Sequence, residues 1–161
     1  MKISDILSEM PAFTKKEIGM GFTELSNDSF VLSGGYRTGG ATKSNQTRLK
    51  YDIYDLAIYN ETQDAESAKV GFVELIVEDG TGNIIGLQNI ELKPKFRKGG
   101  RGAKIVKDLV DTTKDGMDIY DIKKRAVKFW QKVNTEIDAD MSRQMKRGAK
   151  DWHNVDGRIS K

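Results

Sequence analysis

Two apolar runs, residues 70–77 and 84–92, constrain this sequence more than any other feature, and Asp79-Gly80-Thr81-Gly82-Asn83 separates them. Strand-length runs joined through such turn residues form an antiparallel hairpin. In the first run Val73, Leu75 and Val77 share one face, and Val70, Phe72 and Ile76 share the other. That alternation predicts a strand buried on both sides. Pro94 ends the second strand, because it has no amide hydrogen to donate.

Downstream the period changes. Ile105, Val106, Leu109, Val110 and Thr113 recur on one helix face, with lysines and aspartates on the other, and predict a helix over 101–113. Gly116 closes it, residues 117–122 read as an interior strand, and Ala126, Phe129, Trp130, Val133 and Ile137 form a second helical stripe. The order strand, turn, helix, strand, helix is a βαβα arrangement appended to an antiparallel meander. The expected class is therefore α/β (α+β): one domain over 1–161, with a mixed central sheet and flanking helices. Residues 51–59 read as a strand and 60–67 as a polar break. Residues 1–50 and 138–161 carry few apolar anchors and stay unassigned in detail. Within them, Ile3, Ile6, Leu7 and Met10 have helical spacing, residues 22–25 and 30–32 suit short strands, and the Gly/Thr/Ser/Asn-rich residues 34–48 read as a mobile surface loop. In the tail, Met141, Met145, Trp152 and Val155 are the apolar anchors.

With 161 residues, about a third of them charged, the chain has the size and composition of one soluble globular domain. No apolar run approaches the roughly 20 residues of a membrane span. The first ten residues include Asp5 and Glu9 and lack secretory-signal character, so a cytoplasmic location is expected. The absence of cysteine excludes disulfides, thiolate metal sites and a cysteine nucleophile. His153 is the sole histidine and has no partner at metal spacing, so no metal is expected. The tail cations Arg143, Lys146, Arg147 and Lys150 read as a solvated helix face or as contacts to an acidic macromolecule. A net charge of +3 with both signs spread along the chain is too small to imply nucleic-acid binding by itself.

Charge is more telling locally. Lys93, Lys95, Arg97, Lys98, Arg101 and Lys104 form a cluster without an acid, either a solvated loop or an anion site. They surround Arg97-Lys98-Gly99-Gly100-Arg101-Gly102-Ala103, a glycine turn opening a helix. The first amides of a helix lack internal partners and carry the positive end of its dipole, so a phosphate, best a pyrophosphate, suits the turn. The Walker loop is ruled out because Gly102 is followed by Ala103 and Lys104, and the dinucleotide fingerprint because the helix core begins at Ile105.

The segment Arg97-Lys98-Gly99-Gly100-Arg101-Gly102 resembles the Arg/Gln-x-x-Gly-x-Gly/Ala signature of the GNAT superfamily of acyl-CoA N-acyltransferases. The lead-in Ile90-Glu91-Leu92-Lys93-Pro94 and the segment Ala126-x-x-Phe129-Trp130-x-Lys132 are similar to that family's flanking strand and later helix. The likeness covers residues 51–133, and the helix motif is similar to members encoded by tailed bacteriophages, which would put the protein in the host cytoplasm. It implies that acetyl-CoA binds with its pyrophosphate on Arg97, Lys98, Gly99, Gly100, Arg101, Gly102 and Ala103. The pantetheine arm would lie along Ile90 and Leu92, with Trp130 near the thioester. It further implies direct attack of a primary amine, on a small molecule or a protein, upon the thioester.

Such a reaction needs a base for the amine, a donor for the carbonyl oxygen and an acid for the leaving thiolate. The family often places a tyrosine acid where this chain has Trp130. Tyr120, water, or a protein that binds without much catalysis are the three alternatives. Glu74, Glu91 and Asp118 are candidate bases, because an apolar strand makes a carboxylate more basic; the competing reading is an ordinary carboxylate at a strand edge. Phe129 and Trp130 also read simply as core residues. Two other functions stay open: a catalytically impaired fold that binds protein or nucleic acid, and a structural component of a larger phage assembly.

Overall fold

The computed structural model describes residues 12–19, 22–38, 43–137 and 155–161. The helix expected at Ile3 to Met10, the Gly39-Gly40 pair, and the tail residues Met141 to Trp152 and His153 lie outside the described residues. The strands are β1 (Thr14–Gly19), β2 (Phe22–Ser26), β3 (Phe30–Arg37), β4 (Gln46–Asp55), β5 (Lys69–Glu78), β6 (Ile84–Leu92), β7 (Met117–Ile122), β8 (Glu136–Ile137) and β9 (Val155–Ile159). The helices are α1 (Leu56–Thr62), α2 (Ala65–Ala68), α3 (Arg101–Thr112) and α4 (Val127–Lys132). The strands make one mixed sheet in the order β1-β2-β3-β4-β5-β6-β7-β9-β8. Among the described residues every pairing is antiparallel except that of β6 with β7. Among the described residues no helix is long and apolar enough to cross a membrane.

The hairpin of β5 and β6 forms as its periodicity demands. Val70, Val73, Leu75 and Ile76 are buried, and Gly80 and Gly82 take positive φ in the turn. The strand at β7 is interior, between β6 and β9. Helix α3 lays Ile105, Val106 and Leu109, each 0% exposed, against the sheet. Burying side chains of this kind contributes roughly 1.5–3 kcal/mol each. Asp108 departs from the expected polar face. It is buried because Asn27 Nδ2 donates to it at 2.9 Å and Lys104 Nζ approaches at 3.1 Å, tying α3 to the β2–β3 turn.

Four local expectations are corrected. Gly34 to Arg37 and Gln46 to Arg48 belong to β3 and β4, so much of the expected loop over 34–48 is strand. Its glycine pair sits in a bulge, where the register shifts between Gly34 and Tyr36 and a Cβ at Gly35 would meet Thr23 Oγ1 at 2.6 Å. The strand expected over 51–59 stops at Asp55, whose carboxylate accepts from the amides of Ala57 (3.0 Å) and Ile58 (3.4 Å) and starts α1. The polar break over 60–67 accordingly contains the end of α1 and most of α2. The second helical stripe is cut to α4, because Asn134 adopts φ 64. Thr135 N–H then donates to Trp130 O and Asn134 N–H to Gln131 O, the bond pair of a Schellman stop. Ile137 consequently falls in β8 rather than on a helix.

A candidate anion site at the parallel strand pair

The one parallel pairing is short. Gly86 lies opposite Asp118 and Leu87 opposite Ile119, and the ladder ends there. Both strands are irregular at that level. On β6, Gln88 is the extra residue of a bulge, since Leu87 pairs with Leu75 and Asn89 with Glu74. On β7 the register with β9 shifts between Ile119 and Ile122, and Asp121 takes φ 55. Bulges bend a strand and end its pairing, so β6 and β7 part company beyond Leu87 and Ile119. Gln88 Nε2 donates across the opening to Asp121 Oδ2. Among the described residues, no strand pairs with residues 89–92 on the β7 side of β6.

The freed end of β6 runs into the glycine turn. Lys93 N–H donates to Val70 O, Pro94–Phe96 form a 3-10 turn, and Arg97 Nε donates to Leu92 O at 2.9 Å. Gly100, at φ 75, opens α3 without a side-chain cap, and the first helical bond comes from Lys104 N–H to Gly100 O. The amides of Arg101, Gly102 and Ala103 therefore face out of the helix end. No atom lies within 4 Å of a Cβ built on Gly99 or Gly100, so the turn is open in front. A cavity of about 450 Å³ borders it, with Lys98, Gly100, Arg101 and Lys104 on one wall and Asp55 and Asn60 on the other.

The cations here differ in availability. Arg101 is held internally: its Nε donates to Asp55 Oδ2 at 2.8 Å, and its guanidinium lies 5.1 Å from the Phe96 ring centroid. Lys98 is exposed, with no acidic partner among the described residues. Ile90 is half-buried and Leu92 is buried in the core. Trp130 is buried too and meets Phe129 edge-on, with centroids 5.0 Å apart. It is Phe129 that reaches the turn, 3.3 Å from a Cβ built on Gly102.

Of the candidate catalytic groups, the structure brings Asp118 and Tyr120 together and leaves Glu91 apart. Asp118 and Tyr120 line a second cavity, of about 550 Å³, with Glu136, Asp156 and Arg158. Asp118 accepts from Arg158 Nη1 at 2.9 Å, and a Cβ at Gly86 would come within 2.8 Å of the Tyr120 ring. Glu91 is exposed on the freed end of β6 and lines neither cavity. Glu74 is half-buried and accepts from Thr38 Oγ1 at 3.2 Å.

Burial raises the Tyr120 pKa above 10.0, the charges of Asp118 and Asp156 and a hydrogen bond to Asp118 add to the rise, and Arg158 opposes it. At neutral pH the phenol thus keeps its proton and acts as a donor. Tyr51 is raised as well, by burial, against a lowering bond from Thr23. A folded-state pKa above the unfolded value contributes stability that is complete below pH 10 and lost as pH rises through the folded value. Urea unfolding from pH 8 to 11 is expected to show stability falling above pH 10, with a shallower fall in Tyr51→Phe. An equal fall in that variant would remove Tyr51 as a source.

Sequence reasoning did not find Asp55 or the bulge at Gln88. The first was detectable as an aspartate directly before an apolar helical stretch; the second had no local signal. Among the described residues no three His, Cys, Asp or Glu side chains converge as a metal site. No protein-family model matches this chain, and no curated protein matches it.

Proposed function

We propose that the chain is an acyl-CoA-dependent N-acyltransferase of the GNAT type, acting from acetyl-CoA on a primary amine. One observation carries the reading: the sheet's one parallel pair parts beyond Leu87 and Ile119, and the freed strand leads straight into an uncapped helix start. An extended ligand with amide groups can pair with the backbone of Ile90 to Leu92. Its phosphates then meet the amides of Arg101, Gly102 and Ala103 and the charge of Lys98, while Gly99 and Gly100 leave room for them. The amine attacks the thioester carbonyl, the C–N bond forms, the C–S bond breaks, and the thiolate leaves with a proton. Tyr120 is the proton donor in this reading. Asp118, beside it, and Glu91, on the open edge, are the carboxylates available to take the amine's proton.

A second reading, a fold retained for binding without turnover, is favoured by a buried tryptophan, Trp130, at the position where the GNAT family often has a tyrosine acid. Titration calorimetry with acetyl-CoA tests the first. Saturable binding is expected, weakened about tenfold or more in Lys98→Glu, which removes one charge-assisted contact and adds repulsion. No heat and no thermal shift at millimolar acetyl-CoA would sink the acyltransferase reading. Binding without acyl transfer to any amine offered would favour the second.

A further inference from the structure

Parallel neighbours leave a sheet at the same end, so the segments that follow β6 and β7 emerge side by side. Both are basic and free of acids: residues 92–107 contain seven lysines and arginines, and residues 123–135 contain five. On the first, Lys93, Lys95 and Lys98 are exposed; on the second, Lys123, Lys124, Arg125 and Lys128 are. Phe129, from the second segment, lies 3.3 Å from a Cβ built on Gly102 of the first and so bridges the two. None of these seven cations has a carboxylate partner among the described residues. The nearby acids Asp55 and Asp108 are paired with Arg101 and Lys104, which leaves two exposed carboxylates beside the patch, Glu91 and Asp121, the latter accepting from the neutral Gln88 amide, against its seven exposed cations.

We propose that this end of the sheet is a docking surface for the phosphate backbone of a nucleic-acid duplex. Exposed lysine point charges on two adjoining segments suit repeated phosphates read without base contacts. A membrane surface is the weaker alternative, because the exposed large apolar residues among those described, Tyr36 and Tyr59, lie on β3 and α1 and add no apolar anchor to the electrostatic attraction that anionic lipids would supply. An acidic peptide is the remaining competitor. The surface overlaps the acyltransferase site at Lys98, whereas Lys123 to Lys128 lie outside that site, so substitutions confined to Lys123 to Lys128 test the surface separately.

The test is fluorescence anisotropy with a labelled 20-base-pair duplex between 50 and 200 mM KCl. About six phosphate contacts give a slope of log affinity against log salt near −5, at roughly 0.9 per contact. The variant Lys123→Glu/Lys124→Glu/Arg125→Glu/Lys128→Glu is expected to lose at least about 30-fold in affinity at 100 mM salt, with the slope shallower by about 3. A control, Lys15→Glu/Lys16→Glu on the exposed edge strand β1, is expected to stay within about twofold, because those charges lie outside the patch. Circular dichroism verifies folding, and a quadruple Gln variant substitutes if charge reversal disturbs it. No wild-type binding at 50 mM salt, equal losses in variant and control, or displacement by poly-glutamate as effective as by unlabelled duplex would overturn the proposal.

Discussion

Gly116→Ala is expected to cost about 3–5 kcal/mol, a large part of the roughly 5–15 kcal/mol that holds a domain together. Gly116 adopts φ 90, and an added Cβ would lie 2.2 Å from the carbonyl oxygen of Ile159 and 3.0 Å from Ser160 Cα. Left-handed backbone at a non-glycine residue costs on the order of 1–3 kcal/mol, and the overlap can be relieved only by moving β9. That strand contributes buried Val155 and Ile159 and places Lys161 Nζ on Thr113 O at 2.8 Å. Gly99→Ala separates the two causes. It has the same φ of 90 with nothing within 4 Å of the new Cβ, so strain alone, about 1 kcal/mol, is expected. Urea midpoints of the two variants provide the comparison, and equal losses would show that the Ile159 contact contributes nothing.

Asp55→Ala is expected to cost about 2–4 kcal/mol. The carboxylate caps α1 through two amides and pairs with Arg101, so its loss uncaps a helix and strands a half-buried guanidinium. Arg101 keeps some solvent access, 25% for its side chain, which holds the figure below that of a fully buried pair. Asp55→Asn retains an acceptor for the cap but turns an NH2 donor toward Arg101, so it loses the charge and the Arg101 hydrogen bond while keeping the cap, and about 1–2 kcal/mol is expected. A double-mutant cycle with Arg101→Ala gives the coupling, which vanishes if the pair contributes nothing. Arg101 also bonds Phe96 O at 3.4 Å. Asp55→Ala is therefore expected to loosen the glycine turn and weaken acetyl-CoA in calorimetry more than Asp55→Asn does.

At Asp55 the apolar period of the chain and its local structure part ways. A single aspartate turned an apparently continuous apolar segment into strand plus helix, because a capping hydrogen bond acts at one residue while periodicity averages over many. Gly34 and Gly35 misled in the opposite sense: glycines that suggest a loop serve here as a bulge against Thr23, three strands into the sheet. For the candidate site, the glycine turn, its cations and the helix behind it were legible, since all lie in one stretch of sequence. The opening between β6 and β7 was not, because it depends on bulges defined against β5 and β9.

Contiguous residues sufficed to specify the hairpin of β5 and β6, the glycine turn, α3 and the interior strand β7, because burial of a strand or helix imprints a short period on neighbouring positions. Tertiary structure alone decided that β9, from the far end of the chain, inserts between β7 and β8, and that β1 extends the opposite edge. It also decided that two basic segments, separated in sequence by the second half of α3 and by β7, follow the two parallel strands at the same end of the sheet. The reason is physical: strand pairing and charge convergence join residues distant in sequence, and their energies depend on which neighbours meet rather than on any pattern within one segment.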